Sequence, residues 1–330
     1  MFTRAFLFAA LSSLGSAAYT LQDDYLADGN FFGKFSFFTA ADPTHGFVKY
    51  VDQGTAQNSG FLSQSTSKVI MGVDYKNVQP NGRPSVRITS NKSNKSGLFI
   101  LDLQHAPGGI CGTWPAFWLV GPNWPNNGEI DIIEGVNDGS TNLMSMHTAQ
   151  GCQIQNSAMS GTIQTSDCWI NDPNQSSNAG CGISTSNTAT YGTQFNTNGG
   201  GVYATSFTSN FVKVWFFPRN SIPSDIKNGQ PNPDGWGQPV AFFSGCNIGQ
   251  YVKSQQIVFD TTFCGGNVWG SSACSQKASS CTNYVANNPS AFQNAYWQVN
   301  SLKVYQLTSS KREEETFNTT LPTGFTTMYR

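Results

Sequence analysis

An all-β sandwich is the fold class that the sequence predicts, on three observations. Short extended segments with period-two patterning recur along the chain, bounded by Gly, Pro and Asn turns. No long stretch carries helical periodicity. No alternation of strands with helices suggests βαβ units and a parallel sheet. The chain has 330 residues, with 33 Gly and 15 Pro, enough punctuation for many short strands. Length alone would allow two domains, but sandwiches of about 200–250 residues routinely form one. A single domain is therefore expected over residues 19–307.

In chain order, "MFTRAFLFAALSSLGSAA" comes first. Arg4, an apolar run from Ala5 to Leu14 and the small residues Ser16-Ala17-Ala18 make the pattern of a secretory signal peptide over residues 1–18. It is too short to span a membrane, and no later stretch approaches the ~20 apolar residues that a span needs. "SVRITS", "GLFILDLQH", "LMSMHT" and "YWQVNSLKVYQL" alternate as half-buried strands do. "VKVWFFP", bounded by Pro218, is an apolar run expected of a strand buried on both faces. Residues 151–201, rich in Ser, Thr, Asn and Gly and holding three cysteines, are expected to be a long ordered loop pinned by disulfides. Residues 308–330 have the composition of a solvated, disordered tail. With neither a membrane span nor a lipid-anchor tail, the expected destination is extracellular.

Charged residues make up 11 % of the chain and the formal net charge is −1, so no basic footprint for nucleic acid exists. The eight cysteines, an even number in an oxidising destination, are expected to form disulfides. The absence of C-x-x-C pairs and the presence of only three histidines argue against zinc, and neither a metal nor a cofactor is expected. Asn91, Asn94, Asn174 and Asn318 open N-x-S/T sequons, candidate glycan sites.

"NGEIDIIEGV" (residues 127–136) breaks the strand rules, because it threads Glu129, Asp131 and Glu134 through isoleucines. Acidic residues are depleted in strands and almost never fully buried unless paired. Glu129 and Asp131 share a face by alternation. Glu134, five positions from Glu129, would point the other way unless a β-bulge at about Ile132–Ile133 re-aims it. With the bulge, the glutamates stand four pleated steps apart, roughly 13 Å along the backbone. Their side chains can lean together towards the ~5–5.5 Å of a retaining glycosidase, against the ~6.5–9.5 Å of an inverting one. Asp131 between them raises the proton affinity of the set, which suits a general acid. A calcium site is the competing reading, but E-x-D-x-x-E does not match a loop-type site. A solvated edge strand is another.

"GVNDGSTN" is a turn, so the strand should return as a hairpin through "LMSMHT". In the expected register Val136 pairs with Leu143, Glu134 faces Ser145 and Asp131 faces His147, with Met144 and Met146 joining Ile130 in the core. His147 can then hydrogen-bond the carboxylates. Aromatics cluster upstream in "CGTWPAFWLVGPNWPNNGE". Trp124 sits in a loop and is expected to be exposed and ligand-facing; Trp118 reads as core as readily as cleft. Trp269, in a Gly-rich loop, is expected to be exposed, whereas Trp215 and Trp297 are expected in the core. Arg87, a lone cation in an alternating strand, either braces the carboxylates and binds a sugar or faces solvent.

"NNGEIDIIEGVN", preceded by "GTWPAFWLVGPNWP" and followed by "MHT", strongly resembles glycoside hydrolase family 16, and within it the fungal laminarinase-type endo-β-1,3(4)-glucanases. "FFTAADPTHGFVKYVD", "RPSVRITS", "VWFFPRNSIP" and "FDTTFCG" extend the resemblance over nearly the whole domain. E-I-D-I-I-E is the bulged form, unlike the shorter E-x-D-x-E of lichenases and xyloglucan transferases. The resemblance implies a β-jelly-roll with a concave substrate cleft and retaining hydrolysis by double displacement. It also implies Glu129 as nucleophile, Asp131 as its assisting carboxylate, Glu134 as acid/base and His147 beside them. Arg87, Trp118, Trp124 and Trp269 match positions lining the sugar subsites, Trp269 across an insertion in "CGGNVWG". The expected partner is a β-glucan, met by a monomer with no nucleic-acid or membrane partner. A cell-wall transglycosylase with the same chemistry and a carbohydrate-binding lectin on the same fold are the alternatives; retention of all three carboxylates argues against the lectin.

Overall fold

The computed structural model describes residues 19–155, 158–265, 269–270 and 273–307. The leader over residues 1–18, the tail over residues 308–330 and the Asn318 sequon lie outside them.

Two antiparallel sheets of eight strands each face one another, the architecture of a jelly-roll sandwich. One sheet runs Thr162–Thr165, Cys181–Ser184, Leu143–His147, Glu129–Glu134, Thr113–Val120, Gln255–Phe263, Arg87–Asn94, Phe35–Phe37 from edge to edge. The other runs Ala241–Phe243, Val212–Pro218, Gly201–Phe207, Gly97–His105, Trp297–Leu307, Val69–Met71, Leu62–Gln64, with Tyr19–Asp24 also paired to Trp297–Leu307. A short parallel pair, Val48–Tyr50 with Arg83–Ser85, lies beside them. The longest helix among the described residues is Cys281–Asn287, in keeping with the missing helical periodicity.

The main core lies between the sheets. Ile130, Ile132, Ile133, Met144 and Met146 of the first meet Phe99, Leu101, Leu103, Val212 and Val214 of the second. "VKVWFFP" is buried on both faces as expected, because Trp215 joins a second cluster with Leu98, Ile100 and the partly buried Trp236. That cluster also changes the account of "GLFILDLQH". Its pattern suggests one solvated face, but Leu98 and Ile100 are covered too. Trp215 and Trp297 are core residues, at 4 % and 2 % exposure.

Residues 151–201 are not a plain loop. They hold the strands Thr162–Thr165 and Cys181–Ser184 and the helix Gly192–Thr197. Thr162–Thr165 is short and largely polar and is held by backbone pairing, whereas Cys181–Ser184 buries Cys181 and Ile183 in the main core. All eight cysteines pair: Cys111–Cys274, Cys152–Cys246, Cys168–Cys181 and Cys264–Cys281. Two of these bonds pin the 151–201 region. Of the sequons, Asn91 and Asn174 are exposed, but Asn94 is buried at 4 % and closed to a glycan in the folded state.

Candidate active site

The bulge falls where parity demands it. Against the strand Thr113–Val120, Glu129 pairs with Val120 and Asp131 with Trp118, the register slips between Asp131 and Ile133, and Glu134 pairs with Ala116. Two isoleucines in a row, Ile132 and Ile133, thereby enter the core, each contributing about 1.5–3 kcal/mol by burial. The ladder is interrupted there, and the side chain of Asn142 repairs it. Its Nδ2 donates to the Ile132 carbonyl at 2.7 Å, and its Oδ1 accepts from the Glu134 N–H at 2.8 Å. Thr190 Oγ1 accepts from the Asn142 N–H in turn.

The hairpin register differs from the expected one by two residues. Glu129 pairs with His147 and Asp131 with Ser145, because the regular part of the hairpin ends at Asp131 and the bulge lies beyond it. Met144, Met146 and Ile130 still share the core face, since a two-residue shift preserves sidedness. His147 still reaches Asp131, Nε2 to Oδ2, at 3.1 Å along the diagonal.

Side chains therefore stand in rows across the sheet. Glu134, Ala116, Asp260 and Arg87 form one row on four adjacent strands; His147, Glu129 and Val120 form another. These residues border a cavity of ≈ 540 Å³, whose lining also includes Asp131, Trp114, Trp118, Trp124 and Asp42. Glu129 and Glu134 are half-buried, while Asp131 (3 %), His147 (7 %) and Asp260 (8 %) are nearly closed off. Trp124 is 42 % exposed, consistent with its place in a loop at the cavity wall.

Burial of acids, reinforced by their crowding, dominates the electrostatics. Burial, then the neighbouring Asp131, pushes Glu129 up to about 8. Burial, then Asp131, also pushes Glu134 up to about 8, against an opposing hydrogen bond from the Trp114 indole N–H to Oε1 at 2.7 Å. Asp131 rises to about 8 by burial, with a hydrogen bond to Glu129 opposing it. Asp260 rises by burial to about 6, opposed first by Arg87. Glu129, Asp131 and Glu134 thus hold protons more tightly than free carboxylates do, and they titrate together. Such a site can deliver a proton and offer a carboxylate in one cavity.

Seven of the eight residues singled out in the sequence line this cavity: Glu129, Asp131, Glu134, His147, Arg87, Trp118 and Trp124. Trp269 does not. It is partly buried, 5.6 Å from the Tyr284 ring, and borders a small separate hollow that shares only Trp114 with the cavity. Its Gly-rich setting suggested exposure, but its ring packs against Tyr284 of the helix Cys281–Asn287, whose first residue is bonded to Cys264. Asp260, Asp42 and Trp114 are lining residues that the sequence argument did not single out. The signal for Asp260 was present: it is a lone acid in "QQIVFDTTF", the same oddity that exposed the carboxylate strand.

The chain is similar over most of its length to known proteins. The profile of the XgeA-like, catalytic GH16 domain matches residues 35–305. An endo-1,3(4)-beta-glucanase of Arthroderma benhamiae is 46 % identical over 313 residues, covering 92 % of this chain and 68 % of that protein. Several Aspergillus relatives are longer, and the chain spans about half (47 %) of their length. Laminarinase 16A of Phanerochaete chrysosporium, solved with two β-glucans in donor and acceptor sites, has a TM-score of 0.81 and 43 % identity over 88 % of this chain and 100 % of that one. An elongating GH family 16 β-1,3-glucosyltransferase has a TM-score of 0.81 and 42 % identity, with the same coverage.

Proposed function

Since the chain belongs to glycoside hydrolase family 16, we propose that it is a secreted, retaining endo-β-glucanase. It hydrolyses β-1,3 linkages, and β-1,4 linkages adjacent to them, in laminarin-like and mixed-linkage glucans, acting as a monomer. The observation that carries this reading is the placement of Glu129, Asp131 and Glu134 along one wall of a single cavity that also presents Arg87, Trp118 and Trp124.

The chemistry follows from the roles. The Trp114 N–H occupies Oε1 of Glu134, leaving Oε2 to carry the proton. Glu134 gives that proton to the glycosidic oxygen as the bond to the anomeric carbon breaks. The Glu129 carboxylate attacks the same carbon from the opposite face and forms an ester. Glu134, now a carboxylate, takes a proton from water, whose oxygen displaces Glu129 and regenerates both groups. Asp131, between Glu129 and His147, assists by sharing a proton with the nucleophile. Indole faces suit the C–H faces of glucosyl rings. Four disulfides, together with the lack among the described residues of any helix long and apolar enough to cross a membrane, support an extracellular setting.

Product analysis on laminarin, lichenan and curdlan tests the reading, using trace enzyme and early time points. Short oligosaccharides from laminarin are expected, with Glu129→Gln and Glu134→Gln inactive but folded. Near-wild-type turnover by either variant would overturn the assignment. The similarity to the elongating glucosyltransferase favours one second reading, transfer of the glycosyl group to another glucan hydroxyl. Products longer than the donor at high donor concentration would select it.

A further inference from the structure

Five side chains from separate segments close a circuit at one wall of the cavity. Asp260 Oδ1 accepts from the Trp118 indole N–H at 3.0 Å, and Oδ2 accepts from the Tyr50 hydroxyl at 3.0 Å. The Arg87 guanidinium lies 4.9 Å from the Trp118 ring centroid and 4.7 Å from that of Phe38. Phe38 meets Tyr50 edge-on at 5.8 Å, which returns the circuit to Asp260. The hub is nearly closed to solvent: Asp260 is 8 % exposed and Tyr50 is 4 % exposed. The rim formed by Trp118 and Arg87 borders the cavity.

From this geometry we propose that Asp260 is a positioning residue for glucan binding. It fixes the plane of the Trp118 indole and, through it, the guanidinium of Arg87, and presents the two to the substrate as one rigid platform. The inference rests on the β-glucanase reading for its ligand and extends it to a nearly buried residue that holds the ring and the guanidinium from behind. Three arguments carry it. A carboxylate is the side chain that can accept from both donors at once, one on each oxygen. The indole N–H is satisfied inside the protein, so the ring serves the substrate through its face rather than as a donor. Arg87 lies between two ring faces and feels the neighbouring Asp260 only through space, with no ion pair among the described residues, and its Nε is buried with no hydrogen-bond partner among them. Arg87 also borders the cavity, where its terminal donors can meet a hydroxyl.

The test compares wild type with Asp260→Ala, Asp260→Asn, Trp118→Phe and the Asp260→Ala/Trp118→Phe double variant. The readouts are kcat and KM on laminarin, calorimetric binding of a β-1,3-gluco-oligosaccharide, and melting temperature. Asp260→Ala is expected to weaken binding and raise KM about 10- to 100-fold, with kcat less affected, because a misaligned platform loses binding shared by ground and transition states. Asp260→Asn, whose amide still accepts from the indole, should restore most of the loss. Trp118→Phe should cost a similar factor alone and add little to Asp260→Ala, since the two act as one unit. Full additivity, or wild-type binding by Asp260→Ala, would overturn the proposal. Should Asp260→Ala fail to fold, Tyr50→Phe removes one hydrogen bond with little change in volume; it should weaken binding in the same direction, and unchanged binding would count against the hub. A wild type that binds the oligosaccharide but cleaves nothing would sink the hydrolase reading alone, because the binding comparison still decides the role of Asp260.

Discussion

Asn142 is the cheapest place to break the site without touching an acid. Its side chain clasps the bulge, donating to the Ile132 carbonyl and accepting from the Glu134 N–H, while itself only 1 % exposed. Asn142→Ala would strand two buried backbone groups at about 1–3 kcal/mol each. The expected destabilisation is therefore about 2–6 kcal/mol, or a fall of roughly 4–24 °C in Tm at ~2–4 °C per kcal/mol. Activity should fall further than stability explains. Release of the Glu134 backbone lets its carboxyl drift, and a displacement of ~1 Å can cost about 100-fold. The assay pairs calorimetric melting with kcat on laminarin, measured well below the variant's Tm. Asn142→Asp sharpens it: the acceptor for Glu134 survives, the donor to Ile132 is lost, and a new like charge should move the alkaline limb of the kcat profile to higher pH. Unchanged Tm and kcat in Asn142→Ala would refute the clasp.

Stability should decline as pH rises from about 4 to about 8. Glu129, Asp131 and Glu134 bind protons more tightly folded than unfolded, so over that window the native state holds more protons and each rise in pH disfavours it. Melting temperatures across this range check the slope, and Glu134→Gln should flatten it; a Tm that climbs towards pH 8 would contradict the burial argument. Activity should fall on the alkaline side near pH 8, where the acid loses its proton. Trp124→Ala should leave Tm nearly unchanged, because the ring is 42 % exposed, while raising KM by about 2- to 10-fold, equivalent to ~0.5–1.5 kcal/mol of ring contact. An unchanged KM would remove Trp124 from the binding surface.

Much of the site was legible because its residues violate a rule. Acids in an apolar strand, and the odd spacing of Glu134, led directly to the bulge and to one shared face. The hairpin register was not legible in the same way. Parity constrains which face a residue takes but not a slip of two, and the clasp by Asn142 depends on a contact between residues eight or more apart. The partial burial of Trp269 was not legible because glycine richness reports backbone freedom, whereas its ring contact is with Tyr284, 15 residues further along the chain. Connectivity among eight cysteines has 105 solutions, which no spacing rule reduces to one. The strands within residues 151–201 are four residues each, too short for alternation such as Cys181 and Ile183 to stand out from the surrounding loop. Asn94 shows the converse failure, a sequon valid as a motif but buried against the pairing strand.

The register at the bulge has a consequence for insertions and deletions. Glu129 and Glu134 are five residues apart on their own strand, yet their partners, Val120 and Ala116, are four apart. Deleting Ile132 would leave E-I-D-I-E, which plain alternation places on the same face against the same two partners. The separation of the two glutamates is therefore dictated by the neighbouring strand Thr113–Val120, which contains no acidic residue at all. A lineage could gain or lose the extra isoleucine, altering the core and the clasp, while the distance between the reacting groups stayed where that neutral strand had set it.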